Sequence, residues 1–132
     1  MKRWILGAVL SVALVSPLWA EPSADQLRDT IRQYIQSQEK GVGSFTIPDP
    51  RNKGGLRTLT LVRVHERVGK TGDYYYSCTD MKDVKTGDQL DLDFDISDSG
   101  NTLQVVAVRI HKDNGKPRYT YDANDHMIAL ND

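Results

Sequence analysis

The stretch Leu90-Asp91-Leu92-Asp93-Phe94-Asp95-Ile96 alternates apolar and acidic residues without interruption. A strand has a side-chain period of two, so it sends Leu90, Leu92, Phe94 and Ile96 to one face and the three aspartates to the other. A helix would scatter both sets around its cylinder. The stretch therefore predicts an antiparallel sheet with one dry face and one wet face.

Turn signals extend this reading to the neighbouring strands. The tetrapeptide Lys-Thr-Gly-Asp occurs at 70–73 and again at 85–88. Read as three-residue hairpin loops with a left-handed glycine, the two copies pair Gly69 with Asp73 and Val84 with Asp88. Counting outward then sets Val64 opposite Cys78 and Cys78 opposite Phe94. On the other face His65, Ser77 and Asp95 form one row, and Arg63, Thr79 and Asp93 the next. A similar turn at Gly100 sets Leu92 opposite Val106. Asn114-Gly115 sets Ile110 against Tyr119 and Val108 against Tyr121. The dry face thus gains Val62, Val64, Tyr76, Cys78, Val106, Val108, Ile110, Tyr119 and Tyr121.

Strands are expected at 44–47, 56–68, 73–81, 89–96, 102–112 and 117–121. Their connections are too short for crossover helices, so neighbours run antiparallel. Ahead of them, Ser23 and Gln26 have capping-box spacing. Leu27, Ile31, Tyr34 and Ile35 fall on one helical stripe, and Gly41 and Gly43 stop it. A helix over 23–39 covering the dry face follows.

The chain starts with Lys2 and Arg3, an apolar run over 4–15, Pro17 and Ala20. That is the layout of a cleaved secretory leader over 1–20. The run is shorter than the ~20 residues that span a bilayer, and no cysteine follows it, so no stable membrane anchor is expected. Removing twenty residues from 132 leaves 112, enough for one domain over 21–122 and a polar, fraying tail over 123–132. The leader takes Lys2 and Arg3 from 17 basic residues, so 15 basic face 18 acidic residues, a net charge of −3. No basic block suited to nucleic acid is present. Cys78 is the single cysteine, which excludes an intramolecular disulfide and any paired-cysteine metal site.

The candidate ligand-binding residues are Arg63, His65, Tyr75, Asp93, Asp95, Arg109 and His111, all assigned to the wet face. Arg63 and Arg109 would act as forked donors to a polar or anionic ligand. Ser77, His65 and Asp95 are triad-like neighbours in this register, but a flat sheet offers no pocket and no oxyanion donor, so no catalytic residue is assigned. Asp91, Asp93 and Asp95 open like an EF-hand loop, which then fails at Ile96 and Thr102. Cys78 reads as a small apolar filler. No cofactor and no metal ligand is assigned. Val62-Arg63-Val64-His65 is echoed 46 residues later by Val108-Arg109-Ile110-His111, a pattern that two hairpins with the same in–out requirement also produce.

The expected fold is α+β, an N-terminal helix on one face of a five- to six-stranded antiparallel meander. That order of elements resembles the cystatin-like and nuclear-transport-factor-like wraps. The resemblance is architectural and implies no site residue. The expected function is a small exported, periplasmic, non-catalytic binding or interaction module for a peptide, a protein or a small polar ligand. It would use the wet face or an unpaired edge strand. The alternative is an exported metal-binding protein or enzyme using His65, His111 and the Asp91, Asp93 and Asp95 face. The sequence sets no oligomeric state.

Overall fold

The computed structural model describes residues 20–130, so the expected leader lies outside the described residues except for Ala20. Helix α1 spans Ala24–Val42. Ser23 caps it: its Oγ accepts from the Gln26 N–H, and the Gln26 side chain accepts from the Ser23 N–H. Gly43, at φ 85°, takes the left-handed conformation that ends the helix. Leu27, Ile31 and Ile35 are buried, each contributing about 1.5–3 kcal/mol by leaving water.

Strands β1 (Phe45–Pro48), β2 (Leu56–Thr71), β3 (Tyr74–Asp83), β4 (Gln89–Ser99), β5 (Thr102–Asp113) and β6 (Lys116–Pro117) form one antiparallel sheet in chain order. The fold is α+β, one N-terminal helix packed on a six-stranded sheet. β4 keeps the expected parity: Leu90, Leu92, Phe94 and Ile96 are fully buried beneath the helix stripe. Tyr34, Phe45 and Phe94 close this core with ring centroids 6.0–6.2 Å apart.

Strand β3 is flipped relative to expectation. Both Lys-Thr-Gly-Asp copies make other turns than three-residue loops. At the first, Thr71 pairs with Tyr74, leaving a two-residue turn of Gly72 and Asp73. At the second, the Asp83 N–H donates to the Asp88 carbonyl across a four-residue loop. The Asp83 carboxylate accepts from the N–H groups of Lys85 and Thr86, which fixes that longer loop. Each turn moves the register by an odd number of residues, and a strand slipped by one turns over. Ser77 therefore pairs with Phe94, Thr79 with Leu92 and Met81 with Leu90 on the core side. Tyr76, Cys78 and Asp80 face the other way, opposite Asp95, Asp93 and Asp91. Tyr75, expected on the wet face, pairs with Ile96 and packs against the core.

Bulges change parity again in β2 and β5. Val62, an extra residue in β2, is exposed rather than buried. In β5 the irregularities fall at Val106 and at His111. Leu103 and Val105 consequently join the core side, and Val106 is exposed. Beyond β6 the chain leaves the sheet. β7 (Tyr119–Tyr121) pairs with β8 (Met127–Ala129) instead of extending the meander, so Met127–Ala129 is a strand within the expected tail. Tyr119 and Tyr121 do not lie opposite Ile110 and Val108. They fold over the second face of the sheet, where their hydroxyls reach Asp93.

The sheet curls until its edges meet. Asp49 follows β1, at one edge, and Arg118 follows β6, at the other. They form an ion pair with N–O distances of 2.8 and 3.1 Å. Arg57 of β2 sits between them, almost fully buried, donating to Asp49, Asp83, Asp88 and Asp113. Burial disfavours the ionised Asp49 carboxyl, but the hydrogen bonds from Arg118 and Arg57 outweigh it and hold the group at about 2. No described helix is long and apolar enough to cross a membrane.

Candidate functional site

The second face of the sheet is not wet. Asp93 and Asp95 are 1% and 4% exposed, because β7 and its tyrosines cover them. The Asp93 Oδ2 accepts hydrogen bonds from the Tyr119 hydroxyl at 2.7 Å and the Tyr121 hydroxyl at 2.6 Å. Burial and the Asp93 charge push both phenols up from their ordinary range, so they stay protonated donors. Among the described residues the Asp93 Oδ1 is buried without a hydrogen-bond partner.

Arg109 lies on the same face but is fully engaged. Its guanidinium forms a forked pair with Asp95 and donates to Tyr119 and Tyr121. Burial pushes the Asp95 carboxyl up more than Arg109 lowers it. Arg109 thus supports the tyrosine cover and is not the free forked donor expected. Arg63 is exposed, 3.4 Å from Asp80, and does not converge with Arg109 on one ligand.

Between these groups lies a cleft of about 190 Å³. Its rim carries His65, Arg67, Asp91 and Lys112, and its wall is Tyr76 and Tyr121. Those two rings stack at 4.7 Å. The Tyr76 hydroxyl donates to Asp125, and burial with that partner pushes the phenol up to about 12. The ring lies so close to β2 that a Cβ on Gly69 would stand 2.5 Å from it. At the rim, His65 Nε2 is 2.6 Å from Asp80 Oδ1. Burial and the neighbouring Asp80 raise the Asp91 carboxyl.

The floor of the cleft holds Cys78, Asp93 and His111, whose donor atoms all lie within 4.8 Å of one another. His111 Nδ1 is 3.8 Å from Cys78 Sγ and 3.7 Å from Asp93 Oδ2. The His111 ring stacks on Tyr119 at 4.8 Å, which fixes its orientation. Burial, with the Asp93 charge second, pushes the Cys78 thiol up, so it is a protonated thiol rather than a nucleophile.

His65, Asp93 and His111 of the expected site therefore line one cleft, with Asp95 and Arg109 in the cover beside it. Arg63 is at the exposed margin and Tyr75 is on the opposite face. Ser77 is on the core side, its hydroxyl donating to the carbonyls of His65 and Arg67, so the triad-like row does not exist. Both copies of the Val-Arg-Val/Ile-His pattern put the histidine on the cleft side and Val64 or Ile110 against the core. Sequence reasoning misses Cys78, Tyr76, Tyr119 and Tyr121. The only signal for the last pair is the Tyr-Thr-Tyr alternation, which fixes a shared face but not which one.

No protein-family model, curated protein or solved structure matches this chain. The likeness to the cystatin-like and nuclear-transport-factor-like wraps remains one of element order.

Proposed function

We propose that this protein is a small exported, non-catalytic binding module whose site is the cleft on the second face of its sheet. The observation that carries the reading is the convergence of Cys78, Asp93 and His111 on the floor of a cleft walled by Tyr76 and Tyr121. An apolar wall with a few converging polar groups is the usual form of a small-ligand site. The volume suits a small polar ligand or an ion and is too small for a folded partner. Non-catalytic action fits a protonated thiol and a serine whose hydroxyl is tied to backbone carbonyls. Export rests on the basic and apolar leader pattern of residues 1–20.

The test is an amide NMR spectrum of the labelled protein mixed with the low-molecular-mass fraction of its host's envelope extract, with and without chelator. Shifts centred on Tyr76, Cys78, Asp93 and His111 are expected. Shifts that survive chelation identify an organic ligand, and shifts that vanish identify a metal ion. An unchanged spectrum, or shifts confined to the β5 edge at 103–110, would overturn the reading.

A further inference from the structure

The geometry points to a mononuclear site for a zinc-class divalent cation at Cys78, Asp93 and His111. This inference rests on the cleft being the binding site and names its occupant.

Donor spacing is the first support. Ligands at ~2.0–2.3 Å from a tetrahedral metal stand ~3.3–3.7 Å apart. The His111 Nδ1 is 3.8 Å from Cys78 Sγ and 3.7 Å from the Oδ2 side of the Asp93 carboxylate, and one donor atom from each of the three groups lies within 4.8 Å of the others, somewhat wider than a coordinated set. Their backbones explain this: Cys78 and Asp93 are direct cross-strand partners, and the β5 irregularity brings in His111 from the next strand.

A buried oxygen without a partner is the second, independent support. Two tyrosine hydroxyls hold Asp93 at Oδ2, while Oδ1 is buried and accepts no hydrogen bond among the described residues. An unsatisfied buried carboxylate oxygen keeps its desolvation penalty uncompensated, and a cation beside it offsets that cost. The tyrosines then act as the outer partners that orient a ligating carboxylate, and the Tyr119 ring does the same for the imidazole.

Donor chemistry selects the ion. Calcium takes six to eight oxygen ligands and magnesium demands an octahedral oxygen shell, so neither suits a sulfur, a nitrogen and one carboxylate. A thiolate, an imidazole and a carboxylate together suit zinc. On binding, the Cys78 S–H bond gives way to a sulfur–metal bond and the proton leaves to solvent. The thiolate and carboxylate then balance the two positive charges. Three protein ligands leave one coordination position, and because all three residues line the cleft, that position opens onto it.

The experiment uses the chelator-stripped full protein, titrated calorimetrically with zinc chloride alone and, in parallel, with cobalt(II) followed by absorption. One equivalent of zinc is expected to bind. Cobalt is expected to give a thiolate-to-metal charge-transfer band, and only Cys78 can supply it because the chain has no other cysteine. Cys78→Ser should abolish the band, and Cys78→Ser and His111→Gln should each weaken zinc binding at least about tenfold. His126→Ala, whose exposed ring pairs with Asp122 and is not part of the cleft lining, should change nothing. No zinc binding by the wild type, a cobalt spectrum without the band, or binding lost in His126→Ala would overturn the inference. If a floor variant does not fold by circular dichroism, the wild-type cobalt band decides alone. Failure here, with cleft amides still shifted by the chelated extract, would leave the binding cleft standing without a metal.

Discussion

Asp49 and Arg118 lie beyond opposite edges of one sheet and bind each other through two hydrogen bonds. With Arg57 they form the clasp that keeps the sheet curled around its core. Arg57 is 3% exposed and serves four carboxylates. Removing it leaves Asp49 and Asp83 buried without that cation, and breaking a buried pair from one side costs about 3–5 kcal/mol. Arg57→Ala is therefore expected to lower the urea midpoint by that equivalent with an unchanged slope. A change within error of zero would show that the clasp carries no stability.

The same clasp fixes the response to acid. Hydrogen bonds from Asn114 and Arg57 hold Asp88 at about 2, and Asp49 sits at about 2 for the reasons given above, both against an ordinary 3.8. A depressed folded-state value means that the folded chain resists protonation more than the unfolded one. The contribution is full above pH ~4 and disappears as the pH falls to about 2. Asp91 and Asp95, raised by burial, gain stability on protonation and offset part of the loss. The melting temperature should therefore fall between pH 4 and pH 2 in the wild type and fall less in Arg57→Ala.

Two glycines should respond in opposite directions. At Gly69 an added Cβ meets the Tyr76 ring at 2.5 Å, so Gly69→Ala forces the ring off its stack on Tyr121 and costs about 1–3 kcal/mol. At Gly41, in the last turn of α1, an added Cβ meets no atom of the described residues within 4 Å. Gly41→Ala is expected to stabilise by about 0.5–1 kcal/mol. Chemical denaturation of the pair checks both signs.

The helix and β4 are legible in the sequence because each is locally decided. Ser23 and Gln26 complete a capping box within one turn, and the alternation over 90–96 admits a single strand parity. The flip of β3 is not legible, since it depends on loop length. Identical Lys-Thr-Gly-Asp segments close a two-residue turn in one place and a four-residue loop in the other, the latter held by the Asp83 carboxylate. Cys78 crosses from core to cleft on that one-residue difference. The parity changes at Val62, Val106 and His111 are equally invisible to a strict period of two. The burial of Arg57 has no local signal, because its four carboxylates come from separate segments of the curled sheet. Burial of Asp93 likewise depends on a return of the chain from 118 onward.

Tyr121 offers a test of orientation without removing a ligand. Tyr121→Phe keeps the ring stacked on Tyr76 and deletes the 2.6 Å hydrogen bond to Asp93. Loss of such an outer partner typically weakens metal affinity about 10–100-fold. Zinc calorimetry should show that loss with one equivalent still bound, while the fold stays intact by circular dichroism. Unchanged affinity would mean that the hydroxyl does not position the carboxylate.

X-ray absorption at the zinc edge of the zinc-loaded protein tests the central claim most directly. The account predicts one sulfur neighbour at ~2.3 Å with nitrogen and oxygen neighbours at ~2.0–2.2 Å, the sulfur belonging to Cys78. A first shell of nitrogen and oxygen alone would contradict it.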